Sequence, residues 1–220
     1  MFVDLVDALR CPNAHRESWL VASAELIEGR DIVSGVLGCP VCLEQFAITE
    51  GIADFRRSAG ARPVAAPRVT DVEQATRLAA FLNLVDPSGY AVLCGEWSIH
   101  APALRALIAT HLLLVNAPSG VTVGQGTSGI AVDGALPLAA GSARGVALDP
   151  LATPEFITSC VRALAERGRL IGPASIAVPA GVSELARDAS LWVGVRDADP
   201  GRIVTIAKPR RNSGGTAGSR

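Results

Sequence analysis

Cys11-Pro-Asn-Ala-His15 and, about two dozen residues further on, Cys39-Pro-Val-Cys42 put four metal-ligating side chains on two tight turns. Each turn contains proline or a short polar run, and each is followed by chain able to form strands, so the two pairs can converge on one tetrahedral ion. Four protein ligands leave no position for a reactive water. The chemistry expected of Cys11, His15, Cys39 and Cys42 is therefore structural zinc, which holds a fold and transforms nothing. Cys-Pro-x-Cys is the stronger half of the pattern and Cys-x-x-x-His the looser one. The alternative, buried thiols beside a surface histidine, must explain why three of five cysteines and one of three histidines fall in about thirty residues.

The elements that must position these ligands form a compact unit over residues 1–56. A short helix is expected around Phe2 to Ala8, with strands at Trp19 to Ser23, Asp31 to Leu37 and Gln45 to Thr49, and Gly51 to Phe55 closes the unit. So small a unit buries too little apolar surface to be secure alone, and a structural ion supplies on the order of 10 kcal/mol. Residues 57–68 shift to Arg, Ala, Pro, Ser and Gly and read as a linker.

A second domain over 69–208 opens with Thr70-Asp-Val-Glu73 as a capping box for a helix to about Leu84. Strand and helix then alternate: strands at Ala91 to Leu93, Leu112 to Val115, Gly129 to Val132, Gly145 to Leu148 and Arg169 to Ile171. Helices fall at Pro102 to Ala109 and at Pro154 to Arg167, with Thr153 as cap and Gly168 as stop. Val182 to Asp188 reads as helical, and Leu191 to Val195 with Arg202 to Ala207 as a closing pair around Asp199-Pro200-Gly201. This order specifies a mostly parallel sheet with helices on both faces. Residues 209–220 read as a disordered tail.

Composition removes several classes of function. The 220 residues carry a net charge of −1 and 49% hydrophobic residues, enough for a core and no general attraction to polyanions. In the N-terminal unit Arg10, Arg16 and Arg30 alternate with Glu17, Glu25, Glu28 and Asp31, which gives nucleic acid no basic face. Asp4 and Asp7 stand where an export signal needs positive charge, and Arg105 and His111 interrupt the longest apolar stretch. A cytoplasmic chain without a membrane span is expected, with Cys94 and Cys160 as buried free thiols.

The first unit resembles the small zinc-ribbon activator proteins that partner tRNA, ribosomal RNA and release-factor methyltransferases. The likeness covers nearly all of 1–56. It rests on Leu5 and Leu9 before Cys11-Pro12, on Gly38-Cys39-Pro40-Val41-Cys42 and on Ile48-Thr49-Glu50-Gly51-Ile52. His15 departs from it, since many ribbons place a cysteine where Ala14 stands. The second domain resembles class I S-adenosylmethionine-dependent methyltransferases, best in the run from Asp133 through Leu136-Pro137 to Asp149. The resemblance implies a Rossmann-like fold in which Asp133 meets the adenine amine, Gly95 lies in the turn after the first strand, and Asn116 ends the second strand beside the ribose.

The same resemblance exposes losses. Ala91-Val-Leu-Cys-Gly95-Glu-Trp97-Ser-Ile99 keeps one glycine where several are expected, and Trp97 and Ile99 are bulky where close approach needs small residues. Glu96 is placed to face the cofactor's carboxylate. Asn116 replaces an acidic ribose ligand. Asp149-Pro150-Leu151-Ala152 keeps half of an amine-gripping tetrad, its bland reading being a turn into the next helix. Gly124-Gln-Gly126-Thr-Ser-Gly129 lacks the lysine of a phosphate loop and reads as a loop before the third strand. The leading expectation is a pseudoenzyme with a degenerate cofactor site, acting through a protein partner, its ribbon docked in cis on the second domain. The rivals are an active methyltransferase with an altered cofactor loop and a nucleic-acid-binding ribbon.

Overall fold

The computed structural model describes residues 1–57 and 71–198. The first unit contains α1 (Leu5–Ala8), β1 (Val21–Glu28), β2 (Asp31–Gly38), β3 (Gln45–Thr49) and β4 (Ile52–Asp54). Then follow α2 (Val72–Phe81), β5 (Tyr90–Cys94), a 3-10 turn (Gly95–His100), α3 (Ala101–Leu107), β6 (His111–Val115), β7 (Thr127–Ala131) and β8 (Ala143–Ala147). The described chain closes with α4 (Pro154–Ala163), β9 (Leu164–Pro173), β10 (Val182–Arg187) and β11 (Leu191–Arg196).

The eleven strands of the described residues form one sheet in the order β1-β2-β3-β4-β7-β6-β5-β8-β9-β11-β10. From β4 to β9 every pairing is parallel, while β1 to β4 and the closing strands pair antiparallel. Counted from β5, the order 3-2-1-4-5 of a doubly wound sheet is present, with its switch point between β5 and β8. Alternate residues serve opposite faces. Val92, Leu113, Val115 and Val146 join one core with α4, and Ala91, Leu93, Leu112 and Leu114 join the other with α2 and α3. Burial on both faces is why these strands read as unbroken apolar runs.

The N-terminal unit shares the α4-side core: Leu5, Leu9, Leu37, Phe46, Ile48 and Phe55 cluster with residues of β6, β7 and α4. β4 lies along β7 with Ile52 opposite Gly129, where a β-carbon at 129 would come within 2.7 Å of the Ile52 side chain. Beyond the strands, Leu9 bridges Leu138, the Arg10 amide donates to the Pro137 carbonyl, and the Phe2 amide donates to Ser128 Oγ. The loop at Gly124-Gln125-Gly126 has positive φ at all three residues, and its Gln125 amide donates to Asp31 Oδ2 of β2 at 3.2 Å. The cradle that the sequence suggests for an anion thus receives a carboxylate of the same chain.

Several expected boundaries change. α1 begins at Leu5 because Phe2 pairs with Asp31, and the first strand runs Val21–Glu28, two residues later and longer than expected. Thr70 lies outside the described residues; Asp71 caps α2 by accepting from the Glu73 amide, and the helix ends at Phe81. α4 stops at Ala163, ahead of Gly168, because β9 takes over at Leu164 to reach β8. Val182–Arg187 is a strand and not a helix. It covers the free edge of β11, whose other edge pairs with β9, so tertiary pairing overrides a helical propensity. The expected strand Arg202 to Ala207, its turn and the tail lie outside the described residues, as does most of the linker.

The seam between the units carries a titratable group. His111 stacks on Phe2 with ring centroids 3.9 Å apart, and burial first, then Arg105, holds its pKa below the ordinary value, against the opposing pull of Asp31 and Asp4. A lowered folded-state pKa means that, below about pH 6.5, the unfolded chain takes up the proton first. Stability contributed by neutral His111 is thus complete above that pH and is lost as pH falls toward the folded-state value. His111→Phe keeps the stack and removes the proton site, so its melting temperature should fall less between pH 7.5 and 5.5 than that of the parent chain.

Candidate functional site

The two ligand turns meet. The ligand atoms of Cys11, His15, Cys39 and Cys42 all lie within 4.8 Å of one another. Cys11 Sγ is 3.7 Å from Cys42 Sγ, and His15 Nε2 is 3.2 Å from Cys11 Sγ and 3.5 Å from Cys39 Sγ. A tetrahedral ion with metal–sulfur bonds of about 2.3 Å places sulfurs about 3.7 Å apart. A disulfide needs about 2.0 Å, and all five cysteines are free. The four residues can therefore hold a metal ion.

Local backbone builds this geometry. The Cys11 amide donates to the Ser18 carbonyl, and the Cys39 amide donates to Glu44 while Leu43, at φ 62°, donates back to Cys39. His15 Nδ1 lies 2.6 Å from the Arg16 carbonyl, which assigns the proton to Nδ1 and leaves Nε2 for a metal. That carbonyl also raises the pKa of His15. Asn13 Nδ2 lies 3.5 Å from Cys42 Sγ and is the first cause that brings Cys42 down to about 6, followed by the Glu44 amide. Burial pushes Cys11 up to about 12; it also opposes ionisation of Cys39, where the Cys42 and Val41 amides more than offset it. Metal binding here must displace protons. Asn13 was not singled out from the sequence, since its reach to Cys42 depends on how the two turns fold together.

The second feature is a cleft of about 310 Å³ at the carboxyl ends of β5 to β8. Gly95, Asn116 and Asp133 all line it, with Asp149, Thr153 and Phe156. Glu96 does not; it is exposed and lines a separate cleft with Gln74 and Pro150. Nothing in the residue order signals how far the chain occupies its own polar groups here. The Asn116 amide group bonds both ends of Val132, accepting its N–H at 2.8 Å and donating to its carbonyl at 3.0 Å. Asp133 Oδ2 accepts the Arg57 amide at 3.0 Å. Asp149 Oδ1 accepts the Leu151 amide, which is the turn-shaping role, and Thr153 Oγ1 caps α4 by accepting from Phe156.

The switch point itself is tight. The chain passes from β5 straight into the 3-10 turn, and Trp97 Nε1 donates to the Leu148 carbonyl at 2.9 Å, bridging the exits of β5 and β8. Gly95 sits at φ 56°, and a β-carbon there would overlap Asp149 Oδ2. Gly95 is thus required by a close approach to the chain's own carboxylate.

Sheet, cleft and ligand cluster define a mixed α/β protein with a largely parallel central sheet and a Cys3His group able to bind metal. No family model matches the sequence, and no curated protein matches it either. Among solved structures the chain is similar to one titled "Putative methyltransferase yhhF from Escherichia coli", with 16% identity and a TM-score of 0.39 over 62% of this chain and 92% of that one. A likeness at that score carries no argument about activity. No helix among the described residues is long and apolar enough to cross a membrane.

Gly95→Ala should destabilise the fold by about 1–2 kcal/mol for the left-handed backbone alone, with the overlap adding to it. Adding Asp149→Ala should restore the steric part, less the cost of the lost Leu151 amide bond that Asp149→Ala alone reports. Urea unfolding of the single and double variants measures both.

Proposed function

We propose that this is a zinc-stabilised, methyltransferase-like protein whose cofactor site has degenerated and which acts by binding a protein partner. The observation that carries the reading is the switch point: Trp97 bridges to Leu148, and Gly95 lies against Asp149, where the methionine half of S-adenosylmethionine would have to enter. The engaged acceptors of Asn116 and Asp133 support it, because a ribose or adenine would have to displace bonds that the chain makes to itself.

Zinc is the ion that fits the centre best. Three thiolates and one imidazole at tetrahedral spacing suit it, and full protein ligation suits a structural role. The N-terminal unit is read as a ribbon of the activator type docked in cis, with β4 as the docking strand and no separate chain needed at that edge. A cytoplasmic location accords with unpaired cysteines.

An active methyltransferase with an altered cofactor loop is the second reading. It is favoured by one fact: Gly95, Asn116 and Asp133 converge on a single cleft at the strand ends, the place where open α/β sheets bind ligands.

Two measurements bear on these readings. Metal analysis of the purified chain should give one zinc per chain, lost in Cys39→Ser, and a strong chelator should lower the melting temperature sharply; a chain that melts identically without metal would contradict the structural role. Calorimetric titration with S-adenosylmethionine and S-adenosylhomocysteine should show no heat at millimolar ligand. Micromolar binding abolished by Asp133→Ala would instead establish the second reading.

A further inference from the structure

A groove of about 560 Å³ lies between the metal turns and the strand ends. Pro12, Asn13 and Glu44 wall it near the metal centre. At its far end Val132, Asp133 and Gly134 belong both to it and to the strand-end cleft, so the two cavities form one trough. Phe46, Phe55 and Val132 line it as buried side chains, the two rings 4.7 Å apart, and what the groove presents is mainly polar. Carboxylates stand along it. Glu44, Asp133 and Glu155 line the groove and Asp149 lines the adjoining cleft, and among the described residues none of the four takes part in an ion pair. Two arginines also line the groove: Arg56 is held by Asp54 through Nε and Nη2 at 2.8 and 2.6 Å and lies within electrostatic reach of Asp133, and Arg57 gives its amide to Asp133.

From this we infer that the trough receives an extended segment of a partner protein carrying arginine or lysine. The charged heads reach Glu44 and Glu155. Complementary charge sets which partner binds, since a phosphate backbone would face a groove on which Glu44, Asp54, Asp133 and Glu155 outnumber Arg56 and Arg57. The inference goes beyond the degenerate-site reading and does not depend on whether the cleft accepts S-adenosylmethionine. Calorimetry with that ligand tests the one; peptide binding tests the other.

The test uses the full zinc-loaded chain and a fluorescein-labelled decapeptide of alternating glycine and arginine, followed by fluorescence anisotropy at physiological ionic strength. The glycine–glutamate peptide and an oligouridylate of equal length are the comparisons. Saturable binding of the arginine peptide is expected, weakened about tenfold or more by Glu44→Lys with Glu155→Lys. Glu25→Lys with Glu28→Lys makes the same charge change on exposed β1, away from the groove, and should leave the affinity within about twofold. Zinc content and melting curves show that both variants are folded. Absence of saturable binding, an equal loss in the β1 variant, or displacement by oligouridylate would overturn the inference.

Discussion

The constraint on which the rest of the structure depends is the covering of β7. All five of its residues are buried, so its outer edge must meet another strand's hydrogen bonds and not water. β4 provides them, pairing Ile52, Ala53 and Asp54 with Gly129, Ile130 and Ala131. But β4 is three residues long and cannot hold its place alone. It is kept there by β3, which follows the Cys39-Cys42 turn, and by β2, which precedes it. The order of dependence therefore runs from metal turns to hairpins to β4 to β7, and from β7 to Asp133 at the cleft.

That order changes what a metal bound at the Cys3His cluster would stabilise. A small metal-dependent domain gains its fold from its ion; here Leu37, Phe46, Ile48 and Phe55, near the ligand turns in sequence, sit in the same core as Val115, Ile130 and Phe156. An ion bound there would share its contribution with the parallel sheet. The cleft inherits the arrangement, because the chain leaving β4 carries the Arg57 amide to Asp133. An acceptor that the family resemblance would give to a ligand is thereby bound by the backbone of the preceding unit.

Much of this was legible in the residues, for identifiable reasons. The ligand turns were readable because metal chemistry demands particular side chains at particular spacings, and the parallel strands because burial on both faces leaves runs such as Leu112 to Val115 with no polar member. Val182–Arg187 misled because its residues suit a helix and its strand state comes from β11, a partner later in the chain. The bulk of Trp97 was visible, but its bond to Leu148 joins positions 51 residues apart and has no local signature. The same holds for Asn116, whose type suggested a weakened ligand while its geometry makes it a substitute for a peptide group, prolonging the β6–β7 pairing past the last residue of β6.

The glycine-rich loop ahead of β7 illustrates how a motif can be turned inward. With Gly124, Gln125 and Gly126 all at positive φ, the loop presents an amide outward, and Asp31 at the start of β2 is the anion it meets. Asp31 also pairs with Phe2 and with Glu28 across the first hairpin. An N-terminal segment seated one residue out of step along β7 would turn Ile52 to the wrong face and carry Asp31 away from that amide at the same time. Loop and carboxylate together act as a key for alignment: they admit one seating of the two units and penalise its neighbours, a form of proofreading written into the joint itself.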